Sequence, residues 1–555
     1  MKKLPILLLS LPSVALFALS SCGSNTPASE DDNPYEKYYT KDEYEFEEVY
    51  SGAVTKTLPI YNADTPRDNE LATINVNTNI GNNNYIKLVF NTNVNLVGYI
   101  NYVNVNDEEE GYSEKFYVEK EEDRDKAIFT TFLDAFRLGA YGAYSKKITT
   151  IEVMNVDEEN SGTVLLESLS ISDRTYDLDQ ELYIENDTMK FGTRFTHGGC
   201  ISYLERTDQD VVEYIDTNGD VKIAKDVDVD ELKNKKCTVV STNVNFVNCY
   251  DLGREVQTSY YLNADESNGY SPKTEFAYPG SLSGAIYNPI QCGSVGGKNP
   301  QIIDYVYSED LIYVKAKASD WMYLNDQAFG YIEAWYYFGD DDGVLICDCS
   351  YVDFGQFYDS DTNKLTFEGQ ECPACYFVYP LQYFYAETKQ GTIMDSEVTW
   401  QGNDHTYSTK TSKNDGVSSP YMYGLPKKQC NQGWFANVNE DYFGAGLYMP
   451  NADYYVASRG STDCSYTGEE QNHSYLSDQY PEYTEDDIIP SCAVSNYNYL
   501  CPSVRRKMVD FTPLEYSYAI CIGTTDEMSE AFTKLGEEGI ITNENLLDNS
   551  GWPKR

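Results

Sequence analysis

Histidine is almost missing from this chain: three residues in 555. Imidazole-rich metal sites and His-based catalytic sets therefore have few places to be built. Basic residues are scarce as well, with 41 Lys and Arg against 89 Asp and Glu, a formal charge of −48. That balance lacks the clustered cations that phosphate recognition needs, so no nucleic-acid partner is expected. It also disfavours a polyanionic ligand unless a local basic pocket overrides the overall field. No apolar stretch after residue 18 approaches the roughly 20 residues of a membrane span. There is no Gly-rich phosphate loop, no serine nucleophile elbow and no paired metal-ligand motif, so neither cofactor nor metal is expected.

Cysteine is absent from Gly23 to Gly199, and thirteen follow from Cys200 to Cys521. An odd number leaves at least one thiol unpaired within the chain. Cys347-x-Cys349 and Cys372-Pro-Ala-Cys375 are the only close pairs. Their strand-like apolar surroundings, and the absence of a matching second pair, favour buried small apolar side chains over zinc or redox chemistry.

The N-terminus is explicit. Lys2 and Lys3 precede an almost uncharged apolar run, Leu4 to Ala18, of signal-peptide length. Leu19-Ser20-Ser21-Cys22 follows and resembles the lipobox of bacterial lipoproteins. The resemblance implies a signal peptide over residues 1–21, acylation of Cys22 and a mature chain held to a membrane by its N-terminal lipid. The expected location is extracytoplasmic, at the cell surface.

Residues 22–55 are rich in Ser, Asn, Pro, Asp and Glu, which predicts an acidic disordered tether. From 56 to 175 about seven short alternating runs, among them Leu71 to Asn77, Tyr85 to Phe90 and Leu96 to Val103, predict a jelly-roll-like β-sandwich. Strand patterns continue from 176 to 545 and predict one large two-sheet β-sandwich, with several smaller sandwiches as the alternative, giving an all-β chain. Asp216, Asn218 and Asp220 flank an Asn-Gly pair and predict a hairpin turn in preference to a calcium loop. One helix is expected, opened by Thr524-Thr-Asp-Glu527 as a capping box and continued by Met528, Ala531, Phe532 and Leu535.

Four segments of the large unit set polar residues among glycines and aromatics: Arg194 to Tyr203, Asn248 to Tyr261, Tyr287 to Gly293, and Gly369 to Tyr376. A fifth, Gln432 to Tyr448, reads as a hairpin carrying a core tryptophan. The motifs His197-Gly-Gly-Cys-Ile-Ser-Tyr, Asp251-x-Gly-Arg254-x-x-Gln257, Asn288-Pro-x-Gln291 and Gln370-Glu371-x-Pro-Ala, in that order, resemble the galactose-mutarotase-like supersandwich of many sugar-active enzymes. The resemblance runs from about Glu185 to Phe532. It implies a supersandwich fold whose concave face binds a carbohydrate. The acid and base spacing of the mutarotase-like epimerases is not reproduced, so no epimerase role is carried over.

Read from the residues alone, Glu371 sits in an apolar context that suits a general acid. His197 precedes two glycines and is the best imidazole acid/base candidate, while His405 and His473 lie in polar, loop-like surroundings. Asp251 is a possible second carboxylate, and Asp251 with Arg254 reads either as a sugar clamp or as a structural ion pair. Gln257, Asn288 and Gln291 offer neutral polar groups for sugar hydroxyls, or for buried turns. Alternation places Glu333, Trp335 and Tyr337 on one face, either a stacking platform or core. A glycoside hydrolase would pair Glu371 with Asp251 or Glu333. A polysaccharide lyase would use His197 with Arg254. A non-catalytic glycan-binding protein or adhesin is the alternative from another class.

Overall fold

The computed structural model describes residues 45–62, 69–105, 111–133, 145–250, 254–263, 285–287, 289–293, 300–320, 330–339, 343–353, 364–389, 391–395, 421–426, 430–460, 488–494, 496–504, 507–509 and 511–547. Cys22 and the lipobox, Asp251, Asn288, His405 and His473 lie outside them.

The N-terminal unit is a sandwich of a five-stranded and a four-stranded sheet. Its strands fall where the alternating runs predicted them: Ala72–Gly81, Tyr85–Thr92, Leu96–Asn104, Gly111–Val118, Lys126–Phe132, Lys146–Asn155 and Gly162–Ser172. Alternation does the work. Leu88, Phe90, Ile100, Ile151, Leu166 and Leu169 point inward and are essentially solvent-free. The unit starts earlier than expected. Glu47–Ser51 pairs antiparallel with Gly162–Ser172, because Val49 and Tyr50 supply apolar cover for the sandwich core. The acidic segment therefore passes into strand within residues 22–55, and composition alone hid those two side chains.

The last strand of this unit ends at Ser172 and the next begins at Glu181. The large unit faces a twelve-stranded sheet against a nine-stranded one, all antiparallel where paired. One core joins them: Ile201, Val256, Tyr260, Cys372 and Phe377 from the first sheet meet Val314, Ala334, Tyr336, Tyr351 and Ile520 from the second. The chain is thus the all-β, two-sandwich protein its patterning implies.

The hairpin around Trp434 forms as expected, pairing Cys430–Val438 with Phe443–Tyr448. Trp434 faces away from the intersheet core, under the helix Thr525–Glu537, with its ring 5.7 Å from Phe532. That helix begins as read: Thr524 caps it and Glu527 returns to the Thr524 backbone. Met528, Phe532 and Leu535 close the outer side of the nine-stranded sheet, each burial contributing about 1.5–3 kcal/mol. The Asp216 segment is a turn, its Oδ1 accepting the N–H groups of Asn218 and Asp220.

Candidate active face of the twelve-stranded sheet

Three strands carry most of the polar residues picked out in the sequence: Val256–Asn263, Lys364–Val378 and Tyr497–Val504, adjacent in the twelve-stranded sheet. Val256, Tyr260, Cys372, Phe377 and Leu500 point into the core. Alternation therefore sends Gln257, Ser259, Glu371, Tyr376, Tyr497, Tyr499 and Ser503 to the outer face.

On that face Glu371 stands between Ser259 on one neighbouring strand and Ser503 on the other, and Ser503 is followed by Tyr454 on the next. Glu371 is half-buried. The Cys375 and Cys501 thiols nearby are pushed up by burial and then by the Glu371 charge. Farther along, Tyr376 packs its ring 5.0 Å from both Tyr497 and Tyr499. Arg254 lays its guanidinium over Tyr497 at 4.7 Å and over Tyr250 at 5.0 Å, and donates to Asn248 Oδ1 at 3.4 Å. Arg254, Tyr250, Tyr376 and Tyr497 are all half-buried, so each keeps part of its surface accessible on this side of the sheet. From Tyr497 to Ser503 the strand rise spans roughly 20 Å, the length of this aromatic and polar strip.

Other candidates fall elsewhere. His197, Gln257 and Gln291 are at most 3 % exposed. Gln291 donates to the Gly198 carbonyl at 3.0 Å and to the Tyr336 hydroxyl at 3.3 Å. Gln257, although on the outer side of its strand, accepts the Cys292 N–H at 3.1 Å beneath the turn that follows Ile290. These glutamines satisfy buried backbone, the role that Gln side chains in turns share with sugar binding. His197 Nδ1 lies 2.7 Å from the fully buried Glu255 carboxylate. An imidazole enclosed in this way and turned to a buried carboxylate fits neither a solvent-facing acid/base role nor the lyase pair of His197 and Arg254.

Trp335 does share a face with Glu333 and Tyr337, but it is the outer face of the nine-stranded sheet. Ala334 and Tyr336 between them enter the common core. Both sheets thus separate Glu333 from Glu371, and these two carboxylates cannot flank one glycosidic bond. Around Trp335 the packing is dense: Tyr313 is 4.9 Å away ring to ring and donates to Glu333 Oε1 at 2.6 Å, while Lys315 pairs with Glu333 at 3.3 Å. Across the strand Asp348 accepts from Tyr337 and Ser517, and burial lifts its carboxyl to about 6.

Sequence reading missed Glu255, Asp348 and the tyrosines at 250, 376, 497 and 499 as site residues. Tyr250 and Glu255 stand inside a segment already singled out, but tyrosine is so abundant here (51 residues) that no single ring is distinctive.

No protein family and no curated protein matches this chain. Among solved structures it is similar to a galactose mutarotase related enzyme from Lactobacillus acidophilus, at 11 % identity and a TM-score of 0.29, over 62 % of this chain and 98 % of that one. A 4-alpha-glucanotransferase from Thermococcus litoralis matches at 11 % identity and 0.26, over 63 % and 38 %. An alpha-mannosidase from Enterococcus faecalis matches at 9 % and 0.26, over 88 % and 45 %. Scores of this size carry no argument for activity, and the fold class rests on the sheets themselves.

Proposed function

We propose that this protein is a lipid-anchored, extracytoplasmic glycan-binding protein whose outer twelve-stranded face takes a neutral carbohydrate. The observation that supports it is the strip of Arg254, Tyr250, Tyr376 and Tyr497 running toward Glu371. Aromatic faces cover the apolar C–H faces of sugar rings, and guanidinium and carboxylate groups fix hydroxyls. The strong overall negative charge favours a neutral ligand over a polyanion. Cys22 acylation places the strip outside the cytoplasm, where polymeric glycans are met.

Binding is preferred to cleavage for one reason. Hydrolysis needs two carboxylates about 5–10 Å apart; of the two expected partners of Glu371, Glu333 lies on the opposite face of the sandwich and Asp251 lies outside the described residues. The test is a panel of neutral glycans applied to the purified chain, with reducing-sugar release and ultraviolet absorbance followed in parallel. Saturable binding that Tyr497→Ala weakens at least tenfold, with neither product formed, is expected. Failure of every glycan to bind would end the proposal. Turnover abolished by Glu371→Gln, at unchanged melting temperature, would convert it to the hydrolase reading. For the anchor, Cys22→Ser is expected to move the protein from the membrane to the soluble fraction.

A further inference from the structure

Away from the glycan strip, four reactive side chains meet in the interior. Glu255 follows Arg254 directly, yet its side chain is 0 % exposed and its backbone holds φ at +75°, a left-handed conformation unusual for a side-chain-bearing residue. Its Oε1 lies 2.7 Å from His197 Nδ1 without hydrogen-bond geometry, and Oε2 likewise meets no hydrogen-bond donor among the described residues. Burying a carboxylate costs several kcal/mol unless its remaining lone pairs are satisfied. Two thiols adjoin it. Cys200 and Cys292 are both solvent-free, their sulfurs are 2.8 Å apart, and one ligand atom from each of Cys200, Cys292 and Glu255 lies within 4.8 Å of the other two.

The segments that supply them are held tightly. Gly198 and Gly199, both at positive φ, carry the chain from His197 to Cys200 in a turn where a Cβ would strike the Gln291 carbonyl or Val314. Cys292 comes from the turn fixed by Gln257 and Gln291. The Arg254 carbonyl, 3.0 Å from Cys292 Sγ, closes another side of the cluster.

We infer that Cys200, Cys292 and Glu255 form a buried three-ligand site for a divalent transition metal, Zn2+ by ligand preference, with His197 positioning the carboxylate. Thiolate sulfur with carboxylate oxygen is a donor set zinc accepts. The metal gives Oε2 the partner it lacks, and both thiols lose a proton on binding. Two Zn–S bonds of about 2.3 Å at a tetrahedral angle need the sulfurs roughly 1 Å farther apart, a small side-chain rotation. His197 Nδ1, 2.7 Å from the other carboxylate oxygen, stands where an outer-shell contact would orient a metal ligand. The Cys347 and Cys372 pairs set aside in the sequence take no part.

Elemental analysis of the full chain, produced and purified without chelator, tests this. About one zinc per chain is expected, lost in Cys200→Ser, Cys292→Ser and Glu255→Gln and retained in the control Cys375→Ser. Wild-type protein produced in cobalt-supplemented medium should show thiolate-to-cobalt charge-transfer absorption, a readout that needs no variant to fold. His197→Asn should weaken cobalt retention against a chelator by about 10–100-fold. Metal-free wild-type protein without the cobalt band overturns the inference. So does a mass about 2 Da low with a Cys200–Cys292 cross-linked peptide, which would make the pair a disulfide, or zinc that survives all three substitutions.

Discussion

Asp304 receives the guanidinium of Arg174 at 3.0 Å, and both side chains are at most 3 % exposed. The pair sits where the two sandwiches meet. Tyr85 and Thr130 of the N-terminal unit also donate to the Asp304 carboxylate, at 2.9 and 2.5 Å, and Arg174 stacks over Tyr305 at 4.2 Å. Ile303, Tyr331, Val352 and Phe511 of the large unit complete the core of the small one. The two units are therefore one packed body at this junction, not beads on a linker.

Removing one member of that pair leaves the other charged and enclosed. Asp304→Ala is expected to destabilise the chain by about 3–5 kcal/mol, read as a lower denaturation midpoint. Replacing Asp304 and Arg174 together by apolar residues of similar volume should cost less than the single change. A single variant as stable as wild type would show that the pair is not buried as described.

Asp348 gives a pH signature. Burial lifts its folded-state carboxyl from 3.8 to about 6, although Ser517 and Tyr337 donate to it. The folded protein therefore holds the proton more tightly than the unfolded chain. Its contribution to stability is full below about pH 4 and is lost as pH rises through about 6, on the order of 3 kcal/mol. Glu213, lifted by burial to about 7, acts in the same direction. Asp348→Asn should flatten the decline in melting temperature between pH 4 and 6. An unchanged slope would deny the shift.

The face assignment can be tested directly. Tyr497→Ala should weaken glycan binding, whereas Trp335→Ala should leave it unchanged, because that ring lies on the far sheet. Calorimetric titration of both variants with one glycan decides between the two faces.

The capping box predicts a local effect. Thr524 accepts from the Glu527 N–H at 3.3 Å, and Glu527 Oε2 accepts from the Thr524 N–H at 2.6 Å. Thr524→Ala should cost about 1 kcal/mol, with faster amide exchange in the first turn of Thr525–Glu537 and little change in the distant N-terminal sandwich.

Much of the architecture could be read from residue order. Period-two alternation located the strands of the N-terminal sandwich, Asp216 and its neighbours announced their turn, and Thr524 with Glu527 announced the helix. Each signal is local, carried by residues two to four positions apart. The strand at Glu47–Ser51 escaped notice because two apolar residues among glutamates look like tether until a partner strand covers them.

The site was only half legible. Sequence marked Arg254 and Glu371, and the structure sets them on one face, together with tyrosines that nothing in the order distinguished. It marked His197, Gln291 and Trp335 with equal force, yet the tertiary structure encloses the first two and turns Trp335 to the opposite side. The sequence by itself determined that the chain is all-β and strongly acidic, because composition and short-range periodicity suffice for these. Only the tertiary structure decided which face each polar residue occupies and that Glu255 meets His197, Cys200 and Cys292, because strand pairing joins residues far apart in the chain and a change of strand parity reverses what is buried.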